Sequence, residues 1–81
     1  MSPERFKEIR LRLDLTQEEA AQILGVADKT VISRYEAGGR KPSNLMAAIM
    51  EILVELPRKD SQKLMGRLRA HIENLLKDAD A

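Results

Sequence analysis

Apolar residues recur at intervals of three and four along most of the chain, the spacing that places side chains on one face of an α-helix. Phe6, Ile9 and Leu13 form such a face in the first segment, and Ile32 and Tyr35 point inward together in the third. No run of Val, Ile and Thr alternates with the period of two that is typical of strands. The pattern therefore predicts a compact all-α domain of five helices joined by short turns.

Residues that start or stop helices lie at the boundaries of these segments. Thr16 and Glu19 have the spacing of a capping box, in which each side chain hydrogen-bonds to the backbone of the other residue. Gly25 suits a helix end because it enters the left-handed conformation without a steric penalty from a Cβ atom. The remaining signals are Ser2 before Pro3, Asp28 before the third helix, Ser43 before the fourth helix and Pro57 after it.

The fourth helix is the most apolar part of the chain. It covers residues 44–56, and its polar side chains are only Asn44, Glu51 and Glu55. A helix that is apolar almost all round is covered on more than one side. We therefore expect this helix to pack against more than the first three helices.

The last helix, from residue 60 to about residue 78, is long and amphipathic. Its apolar stripe is formed by Met65, Leu68, Ile72 and Leu75. This spacing suits packing on the fourth helix of the same chain, with contacts to a second copy in addition. We divide the chain into a core, residues 1–57, and a C-terminal helix, residues 58–81, that contributes to a dimer interface through this stripe.

The composition narrows the class of protein. With 81 residues and no cysteine, the chain is one small domain without disulfide bonds or thiolate metal sites. No apolar run approaches the ~20 residues of a membrane span, and no signal peptide is visible at the N-terminus. We therefore expect a soluble cytoplasmic protein with no membrane partner.

No set of residues points to catalysis, a metal or a cofactor. His71 is the only histidine, and it has no Cys or second His beside it at ligand spacing. Gly38 and Gly39 follow a helix instead of opening one, so they do not form a phosphate-binding loop. We expect no enzymatic activity, no metal and no cofactor.

The net charge of +1 taken alone argues against a nucleic-acid partner, because such proteins usually carry a basic excess. The distribution of the charges weakens that argument. Residues 14–28 carry four acidic side chains and no basic one, whereas residues 29–44 carry four basic side chains and one acidic one. Residues 57–69 carry five basic side chains and one acidic one. The near-neutral total therefore hides alternating blocks, two of which are basic.

The second helix, the turn at Gly25 and the third helix form the most informative unit. Two short helices joined by a tight turn can cross steeply, and the second then fits a DNA major groove with its N-terminal residues exposed. Base contacts are predicted for Lys29, Thr30, Ser33 and Arg34. Lys and Arg suit the acceptors of guanine, and Thr suits several base edges. The alternatives are a solvated face for the two basic residues and a capping or solvent role for the two hydroxyl residues.

Phosphate contacts are predicted at two helix N-termini, where the backbone N–H groups and the helix dipole favour anions. Gln17 begins the second helix. The loop and first residue of the fourth helix supply Arg40, Lys41, Ser43 and Asn44. A solvated side chain is the alternative at each of these positions.

Several motifs occur in a characteristic order along residues 5–56. They are Arg10, Leu-Thr-Gln-Glu-Glu-Ala-Ala at 15–21, Leu-Gly-Val at 24–26, Tyr35-Glu36, a glycine, and Arg-Lys-Pro-Ser at 40–43. This set resembles the phage-repressor (Cro/repressor-type, xenobiotic-response-element) helix-turn-helix family. The resemblance implies an all-helical domain that binds operator DNA as a dimer and regulates transcription. It also implies that Arg10 forms a structural ion pair with Glu36.

The third helix departs from the family pattern by one position. The family usually places two inward apolar residues six and nine positions after the glycine, where this chain has Val31 and Arg34. An arginine does not suit a core, whereas Ile32 and Tyr35 lie seven and ten positions after the glycine. We therefore infer one extra residue in the turn, near Ala27.

These observations predict a sequence-specific regulator of bacterial or phage type, acting as a repressor. A homodimer would read a palindromic operator in double-stranded DNA with residues 29–36, in the cytoplasm at the nucleoid. The alternative is a protein-interaction module, such as a toxin-neutralising antitoxin or an adaptor. In that case the apolar fourth and fifth helices would bind a partner protein.

Overall fold

Five α-helices follow one another through residues 1–80, the part of the chain that the computed structural model describes, with side-chain surroundings given as far as Asp78. Their bounds are α1 Pro3–Arg12, α2 Gln17–Leu24, α3 Lys29–Ala37, α4 Asn44–Glu55 and α5 Arg58–Asp80. No strand occurs within residues 1–80. The predicted all-α, five-helix architecture is confirmed. The last residue of the predicted segment 58–81 lies outside the described residues.

Side-chain caps begin α1 to α4 at the residues that the sequence indicated. Thr16 Oγ1 accepts a hydrogen bond from the Glu19 N–H at 3.1 Å, and Glu19 Oε1 accepts one from the Thr16 N–H at 2.9 Å. The hydrogen bond from the Thr16 backbone lowers the pKa of the Glu19 carboxyl below its usual value of 4.5. The other caps are Ser2 to the Arg5 N–H at 3.0 Å, Asp28 to the Thr30 N–H at 2.8 Å and Ser43 to the Met46 N–H at 3.1 Å.

The core lies where α1 to α4 converge, and α5 adds Met65 to it. Its largest fully buried side chains are Phe6, Ile9, Ile32, Met50 and Leu53. The smaller or less completely covered members are Leu15, Ala20, Ala21, Ile23, Leu24, Tyr35 and Met65. Because α3 contributes only its inward side to this core, its opposite side is left free.

The C-terminal helix packs along α2 as well as α4. Met65 is buried, and Leu64 and Leu68 are partly buried against the core. The sequence predicts that the apolar stripe of α5 packs on α4. In the structure α5 packs on α2 as well. None of the helices in the described part of the chain has the length and apolar content needed to cross a membrane.

An ion pair joins α1 to α4. Arg5 Nε and Nη2 donate to the two carboxylate oxygens of Glu51 at 2.9 and 3.0 Å, and Arg5 also pairs with Glu8. The hydrogen bond from Arg5 lowers the pKa of the Glu51 carboxyl below 4.5, and the same bond raises the pKa of Arg5. This pair is half-exposed, so water screens it and its contribution to stability is small.

Candidate nucleic-acid interface

The turn between α2 and α3 is built around Gly25. Its φ is +70°, in the left-handed region that glycine enters most easily, and its N–H donates to the carbonyl of Ala21. The N–H of Val26 donates to the same carbonyl at 3.1 Å. These bonds end α2, and the chain then passes through Ala27 to Asp28, whose side chain caps α3.

Two side chains anchor α3 to the core. Ile32 is fully buried and Tyr35 is 4% exposed, whereas Arg34 is exposed. The Tyr35 ring packs on Phe6 with centroids 5.4 Å apart, and its hydroxyl lies 3.6 Å from the Met46 sulfur. The inward positions are therefore the seventh and tenth after Gly25, as the sequence predicted, and the extra residue inferred near Ala27 stays a prediction.

The outward side of α3 carries all four residues that were predicted to contact bases. Lys29, Thr30, Ser33 and Arg34 are all exposed. The cap of α3 comes from Asp28, which accepts from the Thr30 N–H, so the Thr30 hydroxyl is not needed as the cap. One basic residue on each of two successive turns, with a hydroxyl beside each, is an arrangement that can donate to base edges in a major groove.

A buried ion pair holds the end of α3 against α1. Arg10 Nε donates to Glu36 Oε2 at 2.6 Å and Arg10 Nη2 donates to Glu36 Oε1 at 3.0 Å, in a two-pronged contact. The two side chains are only 10% and 6% exposed. Arg10 Nη1 also donates to the Leu15 carbonyl at 2.8 Å. One guanidinium therefore joins α1, the start of α2 and the end of α3.

Gln17 is half-buried at the start of α2, and its amide donates to Glu36 Oε1 at 3.3 Å. The Gln17 amide has two N–H groups, so this bond leaves the second available for a phosphate oxygen. The phosphate contact stays a prediction, but the structure gives Gln17 a role in orienting Glu36. Only the tertiary arrangement shows this role, because Gln17 and Glu36 belong to different helices.

The loop before α4 presents its polar residues to solvent beside the N-terminus of that helix. Arg40, Lys41, Ser43 and Asn44 are all exposed. Ser43 Oγ accepts from the Met46 N–H as the cap of α4, so its hydroxyl proton remains free to donate. A helix of 12 residues with two cations ahead of its first turn is suited to an anion such as phosphate.

The four residues predicted for a dimer interface lie in different environments. Met65 is 6% exposed and belongs to the core of its own subunit, and Leu68 and Ile72 are half-buried. Leu75, at 63% exposed, is the member of the set with free surface for a second copy. The dimer interface stays a prediction, and within the set it depends on Leu75.

The structure also exposes two side chains of the apolar fourth helix, the helix that the alternative interpretation assigned to a partner protein. Leu45 on α4 is 71% exposed and Ile52, seven residues later, is 49% exposed. The apolar character of α4 predicts that other helices pack on more than one of its sides. In the single subunit, however, the apolar stripe formed by Leu45 and Ile52 is exposed to solvent. The spacing of seven could have identified it, but which side of α4 is covered depends on how α1 and α5 are placed.

No cluster of three or more Asp, Glu or His side chains with the geometry for a metal occurs in the part of the chain that the structure describes. His71 is exposed on α5.

A left-handed glycine turn, an anchored α3 with an exposed polar side and flanking basic residues together define a DNA-binding helix-turn-helix regulator. A family model described as helix-turn-helix matches residues 6–53. The chain therefore belongs to the Cro/repressor-type helix-turn-helix family, as its motifs predicted. Searches of curated proteins and of solved structures found no match.

Proposed function

We propose that the protein is a transcriptional repressor that reads a palindromic operator as a homodimer. The observation that carries this proposal is the polarity of α3. Ile32 and Tyr35 fix the helix on the core, while Lys29 and Arg34 project into solvent from its first and second turns. A helix that is rigidly held on one side and presents donors on the other is suited to direct reading of base edges.

The flanking groups would position α3 on the DNA backbone. Gln17 lies at the N-terminus of α2, and Arg40 and Lys41 precede the N-terminus of α4. Contacts of this kind set register and orientation without reading sequence. Few such groups are present per subunit, so a second subunit on a second half-site would double the phosphate contacts and make binding strong enough for regulation.

The dimer would place its two α3 helices about one DNA turn apart, ~34 Å centre to centre. A second copy would bind at the exposed end of α5, where Leu75 has free surface. Repression requires only that the bound dimer occupy the operator, which such an interface can do without a further domain.

Selection of bound sequences from a random pool of duplex DNA, with affinity then measured across a range of salt concentrations, tests the proposal. We expect an inverted repeat with half-sites about 10 base pairs apart. The logarithm of the binding constant should fall linearly with the logarithm of salt concentration, with a slope set by the number of phosphate contacts. Enrichment of no sequence above the starting pool would contradict the proposal.

A second candidate function has support from α4. Leu45 and Ile52 form an exposed apolar stripe, and surfaces of this kind are common at contacts between proteins. The chain would then act as an antitoxin or adaptor that binds a partner protein through α4, with DNA binding secondary. Affinity capture with the parent and with Leu45→Glu, run beside a DNA-binding assay at low salt, separates the two. A stoichiometric partner lost in the variant, together with no DNA binding by the parent, would favour this candidate.

A further inference from the structure

Ile72 on the C-terminal helix packs directly against the backbone of the turn between α2 and α3. A Cβ atom built on Gly25 would lie 2.9 Å from Ile72 Cδ1, 3.5 Å from Cγ2 and 3.7 Å from Cγ1. The glycine therefore serves two purposes. It takes the left-handed conformation of the turn, and it leaves the space that the Ile72 side chain occupies.

This contact is made with the turn that sets the direction of α3, the helix proposed to read bases. The turn has only four residues, 25–28, between the end of α2 and the start of α3. Any shift of its backbone therefore changes the angle between the two helices. Ile32 and Tyr35 hold the middle and end of α3, but the first turn, with Lys29 and Thr30, is the part closest to Gly25.

The restraint on the turn comes from Ile72 more than from its neighbours on α5. Leu76, one turn later, is 60% exposed and only borders a small cleft of about 120 Å³ that Ile72, Gly25 and Val26 also line. Leu64 and Leu68, earlier on α5, pack against the core. Moreover, α5 begins at Arg58, beyond residues 6–53 that the family model matches. The contact therefore involves a helix outside the residues that the family model matches.

We propose that Ile72 is a positioning residue for DNA recognition. By packing on Gly25 it holds the turn, and with it the angle at which the first turn of α3 enters the major groove. Ile72 touches no DNA itself, and its effect is on base reading rather than on phosphate contacts. This inference rests on the proposed function, because it assumes that α3 reads bases.

The test measures discrimination, which a purely structural role would not change. Partial unfolding lowers affinity for every DNA by the same factor, because only the folded fraction binds. The ratio of affinity for a duplex with one selected half-site to affinity for a scrambled duplex is therefore independent of the folded fraction. A single half-site also removes any effect of the variant on dimerisation.

Two substitutions remove different parts of the contact between Ile72 and Gly25. Ile72→Val removes the Cδ1 atom nearest to Gly25 but keeps the two Cγ atoms, and Ile72→Ala removes all three. Leu64→Val and Leu64→Ala are the matched controls, because Leu64 is a partly buried residue of the same helix that packs on the core. Each variant is measured by fluorescence anisotropy at a salt concentration and temperature where circular dichroism shows it to be helical.

We expect Ile72→Ala to lower the discrimination ratio by about 2-fold to 30-fold, the range for residues that modulate binding without contacting the ligand. Ile72→Val should lower it less, and the two Leu64 variants should leave it at the parent value. A parent that discriminates, with an unchanged ratio in Ile72→Ala, would overturn this inference and leave the proposed function standing. A parent that does not discriminate would overturn the proposed function itself.

Discussion

At the scale of single residues, one buried guanidinium connects three helices. Arg10 donates to Glu36 on α3 through two nitrogens and to the carbonyl of Leu15 before α2 through a third. A planar fork of five fixed N–H groups can bind both oxygens of one carboxylate and a carbonyl at the same time, whereas an ammonium group lacks the planar geometry for the two-pronged contact. The pair is nearly shielded from water, so each charge depends on the other for its solvation.

Arg10→Ala should therefore be strongly destabilising. The substitution leaves the Glu36 carboxylate buried without its counter-charge, which typically costs about 3–5 kcal/mol. Urea unfolding followed by circular dichroism measures the change in the free energy of unfolding. Arg12→Ala, which removes an exposed arginine two residues later, is the control and should change it by less than about 0.5 kcal/mol. Equal effects of the two variants would show that the buried pair has no special role.

Lys29→Ala and Arg34→Ala test the residues proposed to read bases. Each should weaken binding to the selected operator by about 1–3 kcal/mol and relax the preference at one position of the site. Neither should change stability much, because both side chains are exposed. Lys7→Ala removes an exposed cation from α1 and serves as the control. Parent-like affinity and specificity in both variants would show that bases are read by another surface.

At the scale of helices, the sequence predicted where each helix begins and ends better than it predicted which helices pack against each other. The caps at Ser2, Thr16, Asp28 and Ser43 lie where expected, because each depends on residues two or three positions away along the chain. The partner of α5 was predicted only in part, since an apolar stripe shows which side is buried but not what covers it. Packing of α5 on α2 became apparent only from the structure.

The ion pair between α1 and α4 predicts a measurable pH dependence. In the folded chain the pKa of Glu51 is lowered below 4.5, chiefly by its hydrogen bond from Arg5. Its contribution to stability is therefore complete above the unfolded pKa and is lost as the pH falls through the folded value. Glu51→Gln should reduce the loss of stability between pH 7 and pH 3, measured by urea unfolding at a series of pH values.

Glu55→Gln is the matched control for this prediction. It removes an exposed carboxylate from the same helix, four residues from Glu51 and away from Arg5. If both variants lose stability with acid as steeply as the parent, the Arg5–Glu51 pair does not contribute to the acid sensitivity of the fold.

At the scale of the whole molecule, charge is arranged in blocks that the net value of +1 conceals. The acidic residues of α2 lie in or near its first turn, where Glu19 completes the capping box. Basic residues occupy the exposed side of α3 and the loop before α4. A protein with so small a net charge should bind nonspecific DNA modestly, so operator occupancy would depend on base contacts and on dimerisation.

Leu75→Glu tests where the second copy binds. Because Leu75 is 63% exposed in the single subunit, the glutamate should leave the fold intact and convert the proposed dimer to a monomer. Light scattering measures the mass in solution, and circular dichroism verifies that the helices persist. Lys77→Glu, a charge change at an exposed position two residues later, is the control. A folded dimer in Leu75→Glu would show that the interface does not include the end of α5. The Leu45–Ile52 stripe of α4 would then be the next surface to test.

The sequence by itself determined the five helices, their caps, the inward pair Ile32 and Tyr35 and the exposed side of α3. These features follow from local rules, because capping, periodicity and turn chemistry act over a few residues. Only the tertiary structure decided that Ile72 packs on Gly25, that Gln17 donates to Glu36 and that the α4 stripe at Leu45 is open. Each of these depends on the angle at which separate helices meet, and that angle is set by the packing of the whole core.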